Sequence, residues 1–370
     1  MIKVISKTNF ADLESHFDHF PDNTFLSYAF FNALEKSLSI GKGTGWIPFP
    51  IIATEEGRVI GFLPTFIKEH SYGEYVFDWA WAEVFQRHGL SYYPKLVCAI
   101  PFTPISGPRI MAENIEAKRL LIKSLEKIMH QHKISSCHFL FTSLEDQQIL
   151  TESGWMHRQG VQFRWINRGY KNYDDFLATL SHHKRKKIKQ ERKKLNSLSL
   201  RMIRKTGKNI TEEDLAFFYQ CYCHTYTDHN STPYLSYDFF NRIFKEIPHK
   251  ILLVIAYDEE GPVGSALNIL DNNNLYGRYW GAIKYIPYLH FELCYYQGQE
   301  YCIENNLSIF EGGAQGEHKL ARGFEPFDTF SSHYIVNEQF RDAIGRFLEE
   351  EGSRMNIYTN ELEERSPYKV

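Results

Sequence analysis

Apolar positions in LSYAFFNALEK, Leu26 to Lys36, recur 209 residues later in LSYDFFNRIFK, Leu235 to Lys245, with seven positions identical. Each copy reads as a helix. Each is followed by a short apolar run, an acidic-glycine turn and a second run carrying Val-x-Gly or Val-Gly: PIIATEEGRVIGFLPTF from Pro50 and LLVIAYDEEGPVGSALNIL from Leu252. That pattern predicts a β-hairpin. A helix and a hairpin made twice in the same order indicate an internally duplicated chain, with connecting loops of different length.

Elsewhere in the first half, HSYGEYVFDWAWAEVFQRHG from His70 reads as an aromatic-rich irregular stretch. Pro94, Pro101, Pro104 and Pro108 then favour extended segments joined by turns. A helix is predicted in AENIEAKRLLIKSLEKIMHQH from Ala112 and a buried strand in SSCHFLFTS from Ser135. The second half reads as a helix over Glu212–His224, the repeat helix and the hairpin. A strand NLYGRYWGAI, a helix HFELCYYQGQEYCIENN, a strand LSIFEGG, a charged loop leading into strands, and an amphipathic helix from Asn337 follow. This alternation predicts an α/β (α+β layered) architecture. Its order in the second half is that of a GNAT-type acyl-CoA N-acyltransferase fold. Two domains are expected, 1–170 and 171–370, with a basic segment at 182–205 entering the second.

The 370 residues suffice for two domains, each with its own core. Aromatics make up 15% of the chain, so its interiors and grooves should be rich in rings. A net charge of −3 argues against nucleic-acid binding over the whole surface and leaves room only for local polyanion contact. The six cysteines, at 98, 137, 221, 223, 294 and 302, lack framework spacing and read as reduced thiols. With neither a signal-peptide core nor an apolar run long enough to span a membrane, the expectation is a soluble cytoplasmic protein.

The blocks HSYGEYVFDWAWA, YYPKL, PFTPISGPR, LYGRYWG, LHFELCYYQ and GAQGEHKLARGFEP resemble the signature blocks of predicted N-acyltransferases related to the Fem-type peptidoglycan enzymes. The resemblance covers roughly Thr24 to Glu350. It implies tandem GNAT-like domains, with the peptidoglycan connection resting on analogy, and it brings no assigned catalytic residue.

Arg278-Tyr-Trp-Gly281-Ala282-Ile283 partly matches the GNAT pattern Arg/Gln-x-x-Gly-x-Gly/Ala, whose amides and following helix hold the CoA pyrophosphate. Ile283 replaces the expected small residue, and KYIPYL delays the helix. The alternative is an aromatic strand packed on its neighbour. Acyl transfer to an amine needs a proton acceptor and donors for the oxyanion. His290 and Glu292, near a helix start, and Glu317 with His318, in the Gly-rich loop, are candidate bases, with Glu292 and Glu317 leading. Tyr279 could protonate the leaving group. Lys319 and Arg322 suit phosphate or carboxylate. The bland readings are an N-terminal helix charge for Glu292, a solvated turn for the loop and a packed tyrosine.

In the first half, Tyr72, Glu74, Asp78, Trp79, Glu83 and Arg109 suit an acceptor pocket with apolar walls and polar anchors, to which Trp280 and Gln315 of the second half would contribute. An ordered loop capping the core is the alternative. The segment HHKRKKIKQERKKLNSLSLRMIRK, from His182, holds eleven Lys or Arg and one Glu. Only Ile188 and Leu195 are apolar in its first fourteen residues, so a helix there needs help from packing. Fem-type proteins carry a similar stretch, which suggests that Lys184 and Arg185 help to hold a phosphate-bearing partner. A solvated helix without a ligand is the alternative. Cys221, Cys223, His224, Asp228 and His229 lack the paired spacing of a structural zinc site, and no metal is expected. The combined expectation is an N-acyltransferase moving an acyl group from acyl-CoA to a small-molecule or peptide amine. The alternatives are an aminoacyl-tRNA donor, implying local tRNA contact, and a non-catalytic domain that binds polyanions or cell-wall precursors.

Overall fold

The computed structural model describes residues 2–14, 23–313 and 316–369. The chain runs β1 (Ile2–Ser6), α1 (Tyr28–Lys36), β2 (Trp46–Pro48), β3 (Ile51–Glu55), β4 (Arg58–Leu63), β5 (Thr65–Lys68), α2 (Trp79–Arg87), β6 (Lys95–Cys98), β7 (Met111–Ala112), α3 (Ile115–His132), β8 (Ser136–Leu140), α4 (Leu144–Glu152) and β9 (Met156–Ile166). It continues with α5 (Tyr173–Thr179), α6 (His182–Asn196), β10 (Arg201–Thr206), α7 (Glu212–Asp228), α8 (Tyr237–Glu246), β11 (Ile251–Tyr257), β12 (Pro262–Asp271) and β13 (Asn274–Ala282). Helix α9 starts at Leu289–Phe291, widens to a π turn over Glu292–Tyr296 and ends with Gln297–Glu304. β14 (Ile309–Glu311), β15 (Glu325–Ile335) and α10 (Glu338–Glu364) complete the described elements.

Two compact units result, Met1–Val161 with Asp328–Tyr358, and Gln162–Phe327 with Thr359–Val370. This differs from a division at 170/171. The chain changes unit within β9 and returns within β15, so each unit is assembled from two separate stretches. Strand pairing decides membership here: Arg164–Ile166 bond to β14, whereas Ser331–Ile335 bond to β8. Both units are GNAT-like.

The duplicated segment is visible in three dimensions. Ser27 caps α1 by accepting from the Phe30 amide, and Ser236 caps α8 by accepting from Phe239. The buried positions Phe30, Phe31 and Leu34 have Phe239, Phe240 and Ile243 as their counterparts at the same 209-residue offset. Burying each such side chain is worth about 1.5–3 kcal/mol, so the same stripe anchors both helices. The hairpins β3–β4 and β11–β12 follow, each with a β-bulge.

Unit 1 has two sheets, β1-β3-β4-β7 and β15-β8-β6-β5-β2, the former covered by the apolar stripe Ala117, Leu121, Ile122, Leu125 and Met129 of α3. The His70 stretch is only partly irregular: Trp79–Arg87 forms α2, because Trp81 and Phe85 at i,i+4 spacing both reach a core shared with Tyr92, Phe340 and Ile344. In unit 2 the strands run β10-β11-β12-β13-β14-β9, with β13 and β14 parallel. The basic segment does form a helix, α6. Its packing comes from Ile188 and Leu195, both 1% exposed, and from the buried Glu191.

Candidate active site

In unit 2, β13 and β14 pair over only three residues, Asn274 with Ile309, Leu275 with Phe310 and Tyr276 with Glu311. Two features then part them. Between the pairs Leu267–Tyr279 and Asn268–Gly277 an extra residue, Arg278, sits on β13, and such a bulge bends its strand. β14 meanwhile ends in Gly312-Gly313, and a Cβ on Gly312 would come within 2.9 Å of Phe324. The fork encloses a cavity of about 80 Å³ lined by Gly277, Arg278, Tyr279, Trp280, His290, Cys294, Tyr295, Gly312 and Gly313. Several sequence-nominated residues therefore meet here.

The Trp280 and His290 rings meet with centroids 4.4 Å apart and planes tilted by 44°, and Tyr295 Oη lies 2.8 Å from His318 Nε2. Burial, reinforced by His318, Arg322 and Lys319, pushes His290 down to about 4, so its ring is neutral. Lys319 is buried; its Nζ donates to Gly313 O at 2.7 Å, and burial lowers the ammonium to about 8.

Glu311 was not nominated from sequence. It is partly buried at the end of the three-residue pairing, and among the described residues its carboxyl has no hydrogen bond or ion pair. Burial raises it to about 7, against the pull of Arg164 and Arg278. The available signal was a lone charge closing an apolar strand, LSIFEGG.

Glu292 is differently placed. Its oxygens accept from Arg192 Nε and Nη2 at 3.0 and 2.9 Å and from Gln297 Nε2 at 2.7 Å. With Arg192 also bonded to Glu300, this carboxylate holds α6 to α9. Arg322 is likewise committed: it pairs with Glu191 at 2.9 Å, donates to His318 O and lies 3.4 Å from the Phe291 ring centroid. Tyr296 also donates to Glu191. Glu317 is exposed and accepts from Arg365 Nη2 at 2.7 Å, while Tyr368 Oη donates to Gly323 O at 2.6 Å, so the segment after α10 ties both ends of the Glu317–Gly323 turn. Gln315 lies outside the described residues.

Gly281 has a packing explanation. A Cβ there would stand 2.0 Å from the Cys221 carbonyl oxygen on α7, and Thr225 Oγ1 donates to Trp280 O beside it. Ala282 ends β13 opposite Gly264. Beyond it the Ile283 amide bonds to Val263, the Leu289 amide to Ile286, and Lys284 pairs with Asp258 and Glu260.

On α6 a groove of about 820 Å³ is lined by His183, Lys186, Lys187, Gln190, Lys193, Lys194 and Ser197, together with Tyr288 and the buried Glu191, whose charge is paired with Arg322. These helix positions follow i, i+3, i+4, i+7 spacing and form one cationic stripe roughly 20 Å long at 1.5 Å per residue. Lys184 and Arg185 are half-buried and do not line it.

In unit 1, Lys95 Nζ donates to Ser71 Oγ at 2.7 Å, to Glu74 Oε2 at 2.8 Å and to Asp78 Oδ2, all of them buried. Tyr92 Oη donates to the same Asp78 oxygen at 2.6 Å and is 3.1 Å from His138 Nε2. His138 Nδ1 meets His333 Nδ1 at 2.8 Å, and His333 Nε2 meets Ser331 Oγ at 2.9 Å. Two neutral rings satisfy this chain, His333 donating through Nδ1 and His138 through Nε2. Burial holds His138 down to about 3 and His333 also well below its ordinary value. Burial raises Glu74 to about 7 and lowers Lys68 to about 7, while Lys95 and His138 overcome burial to hold Asp78 at about 2.

Tyr72 and Trp79 are exposed and face each other at 5.1 Å, and Glu83 pairs with Arg87 on the solvent side of α2. Arg109 is 1% exposed. Its Nε donates to Leu140 O, one Nη to Pro108 O and the other to Ile105 O, at 2.9, 3.0 and 2.5 Å. It fills the end of unit 1's own parallel pair, β6–β8.

Among the described residues no group of three or more His, Cys, Asp or Glu side chains gathers as for a metal, and no helix is long and apolar enough to cross a membrane. The FemAB-like family model, described as peptidoglycan biosynthesis/recognition, matches residues 1–370. No curated protein matches. Among solved structures, FemX aligns at 12% identity with a TM-score of 0.55, over 93% of this chain and 100% of its own. L-PGS from Bacillus licheniformis aligns at 11% identity and 0.54, over 91% and 96%. A conserved protein of unknown function from Bacteroides thetaiotaomicron VPI-5482 aligns at 10% identity and 0.54, over 91% and 100%. These likenesses show the fold, and the match along the full sequence adds the lineage: the chain belongs to the FemAB-like family.

Proposed function

We propose that the chain transfers an aminoacyl group from the 3′-ester of an aminoacyl-tRNA to an amine of a peptidoglycan precursor or a related peptide. The observation that carries this reading is Glu311, a carboxyl without a partner among the described residues, at the point where β13 and β14 part. A base with its proton affinity raised to about 7 suits an amine nucleophile. As the amine nitrogen bonds to the ester carbonyl, Glu311 takes its proton. The C–O bond to the ribose then breaks, and Tyr279, in the fork wall, supplies a proton to the leaving oxygen. Lys319 brings positive charge to the rim where the oxyanion forms.

Two observations favour an RNA donor over acyl-CoA. Gly281 is accounted for by packing on α7, and the Ile283 amide directly after β13 is bonded to Val263 O, which argues against a pyrophosphate cradle at this turn. The cationic stripe on α6, by contrast, suits an extended run of phosphates.

The test is turnover by the purified chain with aminoacyl-tRNA or acyl-CoA against amine acceptors, with and without RNase. Product from the tRNA donor, lost on RNase treatment and reduced about 10²–10⁴-fold by Glu311→Gln, is expected. Product from acyl-CoA alone would return the donor assignment to the thioester. Full activity of Glu311→Gln would remove it as the base.

A further inference from the structure

Glu311 stands directly opposite Arg164 of β9 in antiparallel register. Opposite charges at such positions have Cβ atoms about 5 Å apart and ordinarily pair. These two do not: among the described residues neither makes an ion pair or a hydrogen bond. Arg164 instead lays its guanidinium over the Phe327 ring, 4.8 Å from the centroid. That contact covers one face of the guanidinium and leaves its N–H edge, a fork shaped for a carboxylate, without an acceptor among the described residues. Arg278, the bulge residue, lies over the Tyr279 ring at 5.1 Å and donates to the Tyr279 hydroxyl, so it differs from Arg164. An unpartnered carboxyl and an unpartnered guanidinium, held one strand apart beside the fork, match a ligand that carries both charges.

We propose that the acceptor is an amino acid end in which the reacting amine and a free carboxylate share one carbon, the amine meeting Glu311 and the carboxylate meeting the edge of Arg164. The inference rests on the transfer reading above and narrows its acceptor. An amine flanked only by amides, such as a peptide N-terminus, leaves Arg164 unanswered and is the poorer substrate. Arg164 is thus a specificity residue.

The test compares free L- and D-amino acids with their amides, in which a neutral carboxamide replaces the carboxylate, at a pH where both amines are largely free base, using the full chain. Binding is measured by calorimetry without donor, and acceptor kcat/KM with whichever donor supports turnover. We expect at least one amino acid to exceed its amide by about tenfold or more. Arg164→Gln should erase that ratio through KM with kcat retained, and Arg164→Lys should restore part of it. Equal binding of acids and amides across the panel, or an unchanged ratio in Arg164→Gln, overturns the acceptor assignment while leaving transfer intact. Preferential binding of the acids without transfer from any donor would instead sink the transfer reading and keep the site.

Discussion

The parallel pairs β6–β8 and β13–β14 occupy equivalent places in the two units and are finished differently. After β6 the chain folds back, pairs Gly107 with Thr142 and seats the Arg109 guanidinium among three backbone carbonyls. After β14 two glycines and the Arg278 bulge leave a lined cavity. One duplicated arrangement thus serves as solid scaffold in unit 1 and as the candidate site in unit 2. The charge follows the same division. Unit 1 spends its buried ionic groups on one another, in the chain from Lys95 to Ser331, whereas unit 2 leaves Glu311 and Arg164 unspent.

Breaking this contrast should affect stability in one unit and chemistry in the other. The largest structural effect is expected for Arg109→Met, which strands three carbonyls. It should lower stability by about 3 kcal/mol or more in denaturant unfolding while turnover per folded molecule persists. A selective loss of kcat with unchanged stability would give Arg109 a ligand after all.

Gly281→Ala comes next. Forcing a Cβ against the Cys221 carbonyl should cost about 1–3 kcal/mol in stability. If Gly281 instead only admits a pyrophosphate, the melting temperature would hold and donor KM would rise.

Acid should give the smallest effect. His138 and His333 are neutral when folded and free to protonate when unfolded, so the unfolded state gains two protons as pH falls below about 6.5. Lys95 and Arg158 disfavour charge on both rings, with Asp78 opposing at His138 and His157 adding at His333. Glu74 and Glu311, both raised to about 7, each offset one proton by taking it up in the folded state, while His290, held down to about 4, adds one more to the unfolded side. The balance still favours unfolding, so the melting temperature should fall by a few degrees between pH 6.5 and 5. Replacing both histidines with glutamine should abolish that fall and, with Glu74 still taking up a proton in the folded state, tilt the slope the other way.

The fold was legible because it is written in apolar periodicity: the repeated Phe-Phe helix, the two hairpins and the long helix from Asn337 all rest on side chains that must be buried. The site was legible only in part. Motif and loop position brought Tyr279, Trp280, His290, His318 and Lys319 together around the fork. They could not say that Glu292 would meet Arg192, because that partner lies a hundred residues away on α6. Glu311 and Arg164 escaped notice for the complementary reason: what distinguishes them is the absence of a bond between cross-strand neighbours, which no spacing reveals. The boundary at 170 failed to anticipate a chain that revisits its first unit, since only strand pairing shows which sheet Ser331–Ile335 completes.

That interleaving has a consequence for how the molecule is made. Unit 1 lacks the strand bearing His333 until residues 328–358 have left the ribosome, and unit 2 lacks Arg365 and Tyr368, which brace the Glu317–Gly323 turn, for longer still. Neither unit can therefore finish folding before most of the other has been synthesised, unlike consecutive domains. A nascent chain halted before residue 328 would hold two incomplete bodies, so the two units become complete almost together.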